Sequence, residues 1–249
     1  MADNQIKDVL KDFIRHTHKL GIFEMVKITG TLKETEVETT DPEKTVIFKG
    51  KTHNPVADFA DNTVGLSRMG VLDGYLKMFD GDNDTVVTQT QERNGVKVPT
   101  EVEFTREDGT VANYRFMLAD VINQQLKEIK FKGAEFDINI VPTQKNLKDL
   151  SGFNGILGAF ESTFSPRTED GKLYFYIGDG GGDRAKILVN ADPGGDMTHE
   201  FKWPLDTVLK ILQLGDNSNI VMSFNPKGLL QIKIDSGLAE YTYLLPAKG

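Results

Sequence analysis

With 249 residues, 39% of them apolar and 27% charged, the chain has a globular composition and enough length for two domains with separate cores. No apolar run approaches the ~20 residues of a membrane-spanning helix, and Met1-Ala-Asp-Asn-Gln-Ile-Lys-Asp8 lacks a signal-type apolar stretch, so a cytosolic protein without a membrane partner is expected. The absence of cysteine excludes disulfides, thiolate metal sites and cysteine nucleophiles, and a net charge of −8 argues against indiscriminate coating of nucleic acid while leaving room for a local basic surface.

Residues 5 to 20 read as a helix, with Ile6, Val9, Leu10, Phe13, Ile14 and Leu20 on one apolar stripe. Lys7, Lys11, Arg15 and His18 recur on another face, flanked by Asp8 and Asp12. Beyond Gly21, short segments rich in Val, Ile, Thr and Phe predict strands at 23–29, 34–39, 45–51 and 56–59. A second helix is predicted over 66–79, with Met69, Leu72, Leu76 and Phe79 inward. Strands follow at 85–90, 98–105 and 110–118, with Asp108-Gly109 as a hairpin turn. Residues 119–134 carry Val121, Ile122, Leu126 and Ile129 among Gln and Lys, too apolar for a free linker, and are expected to pack on the protein.

The order then repeats. A strand at 135–141 leads into a helix capped by Thr143, with Leu147, Leu150, Phe153 and Leu157 inward and Lys145 and Lys148 on its polar side. Strands are predicted near 160–164, 172–178, 184–190 and 198–203, then a short helix after Pro204 with Leu205, Val208, Leu209 and Leu212. Strands at 220–225, 229–235 and 239–245 close the chain. Each half thus reads as helix, four strands, helix, three strands.

Particular residues repeat as well. Leu10-Lys11-Asp12 returns as Leu147-Lys148-Asp149, and Leu20-Gly-Ile-Phe-Glu24 as Leu157-Gly-Ala-Phe-Glu161, both at an offset of 137 residues. Val71-Leu72 returns as Val208-Leu209 at that offset, Asp82-Asn83 as Asp216-Asn217 at 134, and Tyr114-Arg-Phe-Met-Leu118 as Tyr241-Thr-Tyr-Leu-Leu245 at 127. An ordered series with a slowly shrinking offset is the mark of a duplicated domain, and its period is far longer than a solenoid or propeller repeat.

Motifs for chemistry are weak. Gly178-Asp-Gly-Gly-Gly-Asp183 precedes a predicted strand rather than a helix N-terminus and lacks Gly-Lys-Ser/Thr, so it reads as a hairpin tip, not a phosphate loop. Asp80, Asp82 and Asp84 imitate the start of a calcium loop, but Thr85 stands where Gly is required and Gln91 where a bidentate Glu is required. His16 and His18 lie about 200° apart on a helix and cannot share a metal; these two, His53 and His199 read as exposed. No nucleophile motif or paired-carboxylate spacing appears, so no catalytic residue, cofactor or metal site is expected. The remaining signal is charge: Lys7, Lys11, Arg15, Lys19, Lys145 and Lys148 on the first helix of each half, and Arg68, Lys77 and Lys210 on the second. On duplicated domains forming a curved array, such faces would make a basic wall for phosphates without reading bases.

This organisation resembles the sliding clamps of DNA replication, and in style the T-even-type bacteriophage clamps. The stretch Asp61-Asn-Thr-Val-Gly-Leu-Ser-Arg-Met-Gly-Val-Leu-Asp-Gly-Tyr-Leu76 with Asp80-Gly-Asp-Asn-Asp84 is similar to that family's core strand, second helix and acidic turn, and Tyr241-Thr-Tyr-Leu-Leu-Pro246 to the last strand of clamps generally. The resemblance implies an α+β DNA-clamp fold of two similar domains, 1–118 and 135–249, joined by a connector at 119–134, each with two helices on antiparallel sheets. It implies a non-enzymatic processivity factor, a homotrimeric ring around double-stranded DNA, with DNA polymerase and clamp loader as partners, in the cytoplasm of a bacterial host if phage-encoded. It places Lys7, Lys11, Arg15, His18, Arg68, Lys77, Lys145, Lys148 and Lys210 toward DNA. It assigns Leu118, Val121, Ile122, Leu244, Leu245 and Pro246 to a pocket for partner peptides, and pairs strand 110–118 with 184–190 of the next subunit. The alternative is a duplicated β-rich structural or assembly protein, such as a virion component.

Overall fold

The computed structural model describes residues 5–93, 95–127, 133–178, 181–215 and 219–247. The Asp216-Asn217 match, Ile129 of the connector and the centre of the Gly178–Asp183 loop lie outside them. The chain divides into two compact units, Met1–Lys130 with Ser236–Tyr241, and Phe131–Asp235 with Thr242–Gly249.

Unit 1 opens with α1 (Gln5–His16), whose apolar stripe Ile6, Val9, Leu10, Phe13 and Ile14 is buried, then a 3-10 turn at His18–Leu20. Gly21, at φ 70°, ends that turn and donates its N–H to the His18 carbonyl, a left-handed position that favours glycine. Strands β1 (Val26–Gly30), β2 (Thr35–Thr40), β3 (Ile47–Thr52) and β4 (Thr63–Leu66) precede α2 (Met69–Met78). Next come β5 (Thr85–Arg93), β6 (Val96–Thr105), β7 (Val111–Arg115), β8 (Met117–Leu118) and α3 (Ala119–Gln125). One antiparallel sheet has the order β8-β4-β1-β2-β3 and another the order β5-β6-β7. Tyr75 of α2 and Phe79 just after it meet Phe104 of β6 with ring centroids 5.7 Å apart in each pair, seating that helix on the second sheet.

Unit 2 begins with β9 (Ile138–Ile140) and α4 (Gln144–Leu157), then β10 (Thr163–Glu169), β11 (Lys172–Ile177), β12 (Ala185–Asn190) and β13 (Trp203–Pro204). α5 (Leu205–Leu212) and β14 (Ile220–Asn225), β15 (Leu229–Asp235) and β16 (Ala239–Pro246) follow. The sheet orders are β12-β11-β10-β13 and β16-β15-β14-β9, all antiparallel where register is resolved. Its core is an aromatic cluster of Phe164, Phe175, Trp203 and Phe224, each nearly or wholly buried. The Trp203 indole N–H donates to the Leu245 carbonyl at 2.8 Å, so the largest side chain in the core leaves no polar atom unsatisfied.

Both units run helix, four strands, helix, then antiparallel strands, as the repeat predicts. Four local expectations change. Residues 57–59 form a 3-10 turn rather than a strand, with Val56 and Phe59 buried three residues apart. The fourth strand of unit 1 is instead β4. Of 198–203 only Trp203 enters a strand, and the connector starts as α3, with Ile122 buried against Gly65, where a Cβ would come within 2.9 Å of that side chain. Among the described residues no helix is long and apolar enough to cross a membrane.

Candidate nucleic-acid interface

In unit 1 four lysines from α1, the 3-10 turn after it and α2 converge on two aspartates. Lys7 and Lys11 both reach Asp80 Oδ1 just beyond α2, Lys7 at 3.7 Å and Lys11 through a hydrogen bond. Lys19 and Lys77 both donate to Asp73 Oδ2 at 2.7 Å. Burial opposes ionisation of Asp73, but the two lysine hydrogen bonds outweigh it and hold the carboxyl below its usual range. The Lys11 hydrogen bond does the same for Asp80. Arg15 and Arg68 are exposed and His18 is half-buried; Arg68 precedes α2 in a left-handed conformation at φ 50°, its guanidinium 6.0 Å from the Tyr114 ring centre.

Lys7 departs from the expected solvent stripe, being only 4% exposed. The duplicated Lys-Asp pair also has divided roles in α1. Lys11 stays at the surface, whereas Asp12 accepts hydrogen bonds from Tyr241 Oη at 2.6 Å and Ser236 Oγ at 2.7 Å. His16, expected at the surface, is 1% exposed and stacks on Tyr241 with ring centroids 4.0 Å apart. The helical spacing of Val9, Phe13 and His16 carries the signal that places it on the buried stripe.

In unit 2, Thr143 caps α4 through a reciprocal box: Asn146 N–H donates to Thr143 Oγ1 at 3.1 Å and Thr143 N–H to Asn146 Oδ1 at 2.9 Å. That cap fixes the start of the helix, whose first two turns carry Lys145, paired with Asp149 at 2.6 Å, and Lys148, exposed and with no ion-pair partner among the described residues. On α5, Lys210 pairs with Asp206 at 2.9 Å. The acidic partners were legible: Asp73–Lys77, Lys145–Asp149 and Asp206–Lys210 all stand four apart on helices.

The loop motifs resolve into structure. β11 and β12 pair as antiparallel strands, so the Gly-rich segment between them leads into a strand and not a helix. Asp84 is buried and accepts from the Gly81 N–H at 3.0 Å, closing the acidic turn. Of the residues assigned to a peptide pocket, Ile122, Leu244 and Leu245 are core residues with at most 1% exposure and offer no surface to a partner. Leu118 and Val121 are 42% and 40% exposed, and Pro246 is exposed.

Sequence comparison matches no protein-family model and no curated protein. Comparison of structures finds the C-terminal region of FEN-1 bound to A. fulgidus PCNA at a TM-score of 0.73 and 12% identity, covering 98% of this chain and 96% of that one. PCNA from Thermococcus kodakaraensis follows at 0.70 and 14%, with 97% of each chain covered. The PCNA2–PCNA3 complex from Sulfolobus tokodaii gives 0.67 and 15%, with 96% of each covered. The fold is that of the PCNA-type sliding clamps. The two-domain α+β clamp architecture with antiparallel sheets is thereby established for this chain.

Proposed function

We propose that this chain is a DNA sliding clamp, a non-enzymatic processivity factor that encircles double-stranded DNA as a homotrimeric ring and tethers the replicative polymerase. The observation that carries the reading is the clamp fold over 98% of the chain. Its domains would be 1–118 and 135–249, with 119–134 as connector. Lys11, Arg15, His18, Arg68, Lys77, Lys145, Lys148 and Lys210 would face the duplex, contacting phosphates and leaving base edges unread. Lys7, buried beside Asp80, would support Lys11 rather than touch DNA. Leu118, Val121 and Pro246 would bind partner peptides, and a clamp loader would open the ring. The T-even-type resemblance, and with it a bacteriophage source and a bacterial host's cytoplasm, rests on the 61–84 segment.

Two of the edge strands support assembly. β7 ends one sheet of unit 1 and β12 ends one sheet of unit 2. A head-to-tail arrangement would pair them between subunits, closing a ring and removing both open edges. The decisive experiment is stimulation of the cognate polymerase on primed circular DNA with loader and ATP. Long products from single binding events are expected; no gain in processivity would sink the assignment. Sedimentation should give a trimer-sized particle, and a monomer at high concentration would count against the ring.

A further inference from the structure

The two halves differ at three aligned positions that bear on charge. At the 137-residue offset, Asp73 of α2 corresponds to Lys210 of α5, Lys19 to Ile156 and Lys77 to Leu214. Unit 1 therefore holds a three-residue cluster that unit 2 lacks. Asp73 lies in the centre with 15% of its side chain exposed, and the side chains of Lys19 and Lys77 that reach it are 40% and 66% exposed. Both donate to the same oxygen, Oδ2. One carboxylate thus offsets half the charge of the lysine pair and fixes where that pair sits.

Resting on the clamp reading above, we propose that Asp73 is a built-in counter-anion that competes with DNA phosphate for Lys19 and Lys77 and keeps duplex contact at this helix pair weak. A phosphate that approaches meets ammonium groups already partly neutralised by a fixed charge that cannot diffuse away as a salt ion does. Contact then releases less counterion and gains less affinity than two free lysines would provide. A protein that must stay on DNA by enclosure needs loose contacts in order to move, and this arrangement supplies them while keeping a basic surface. In the second unit the aligned Lys210 is held by Asp206 and Lys145 by Asp149, one lysine to each carboxylate, whereas Asp73 holds two.

The test is binding of the intact protein to a fluorescent 30-base-pair duplex, followed by anisotropy across a salt series. Asp73→Asn preserves size and hydrogen bonding but removes the charge. It should raise affinity at low salt about tenfold and steepen the log K against log salt slope by ~0.9 for each phosphate newly engaged. Lys19→Gln/Asp73→Asn/Lys77→Gln should return affinity to the parent value or below. Glu43→Gln, an equal charge change on an exposed loop, should leave binding unchanged. Unaltered or weaker binding by folded Asp73→Asn, or an equal gain from Glu43→Gln, overturns the proposal while leaving the clamp reading intact. A parent protein too weak to register on this open-ended duplex is consistent with enclosure, and the proposal then stands only if folded Asp73→Asn binds where the parent does not; the clamp reading is overturned separately, by absence of a processivity gain.

Discussion

His16 is held uncharged by its surroundings. Burial is the main cause and the neighbouring Arg15 charge adds to it, lowering the pKa from 6.5 to about 3. Asp12 Oδ1 lies 3.6 Å from the ring, but that carboxylate is already engaged by the Tyr241 and Ser236 hydroxyls. The unfolded chain takes up the proton at the ordinary histidine value and the folded chain only near 3. Stability owed to the neutral ring is therefore complete above pH 6.5 and declines as pH falls toward 3, by at most ~1.4 kcal/mol per pH unit. His16→Phe keeps the stack on Tyr241 and removes the titration. Its melting temperature should fall less steeply than the parent's between pH 6.5 and 4, and equal slopes would assign the acid sensitivity to other groups. Lys148 poses a second question, because no carboxylate among the described residues pairs with it. Lys148→Glu should weaken duplex binding at every sequence alike and reduce the salt slope by ~0.9. Lys145→Glu places a second carboxylate beside Asp149 and should perturb α4 as well as binding. A loss with Lys148→Glu confined to one duplex sequence would rule out simple phosphate contact.

At the scale of elements, the long periodic segments were readable because a single face of each is buried. α5, β14, β15 and the Thr143 cap stand where apolar spacing and cap chemistry put them, and α1 begins as predicted but stops at His16, the rest of the 5–20 segment being the 3-10 turn. The failures share a cause, which is that tertiary partners decide short segments. Val56 and Phe59 look like strand residues, yet both are buried one helical turn apart. β4 is obscured in the residue pattern by Gly65, whose missing side chain makes room for Ile122, and only the clamp resemblance of the 61–76 stretch points to a core strand there. α3 was hidden because only Ile122 of its seven residues is buried, too few to give a period. Of the candidate site, the basic residues were legible but their compensation was not fully so. Asp73 and Lys77 are neighbours by spacing, whereas Lys19 and Asp80 reach their partners only once α1 and α2 lie together. Thr143→Ala removes the reciprocal cap and should cost ~1 kcal/mol in urea unfolding; a cost near zero would mean that solvent satisfies the first turn equally well. Trp203→Phe leaves the buried Leu245 carbonyl without its donor, a loss of about 1–3 kcal/mol before any repacking.

For the whole molecule, the open question is what the exposed sheet edges are for. An unpaired edge with apolar side chains invites uncontrolled pairing, and proteins usually blunt such edges with charge, proline or a covering segment. β7 carries Val111 at 52% exposure and β12 carries Leu188 at 47%, so neither edge is fully blunted by charge. The edges lie in different units, which suits a heterologous contact that closes by rotation rather than a two-fold dimer. If subunits join there, Val111→Glu/Leu188→Glu would set two carboxylates against an interface that must be dry, adding repulsion and a desolvation cost to every junction. The double variant should sediment as a monomer at micromolar concentration, with unchanged far-ultraviolet circular dichroism and no ability to raise processivity. Val221→Glu changes an exposed valine on β14, which is bordered by strands on both sides, and should leave the assembly intact. An assembled double variant, or a monomer from Val221→Glu, would move the junction away from β7 and β12 and require the ring to close through another pair of surfaces.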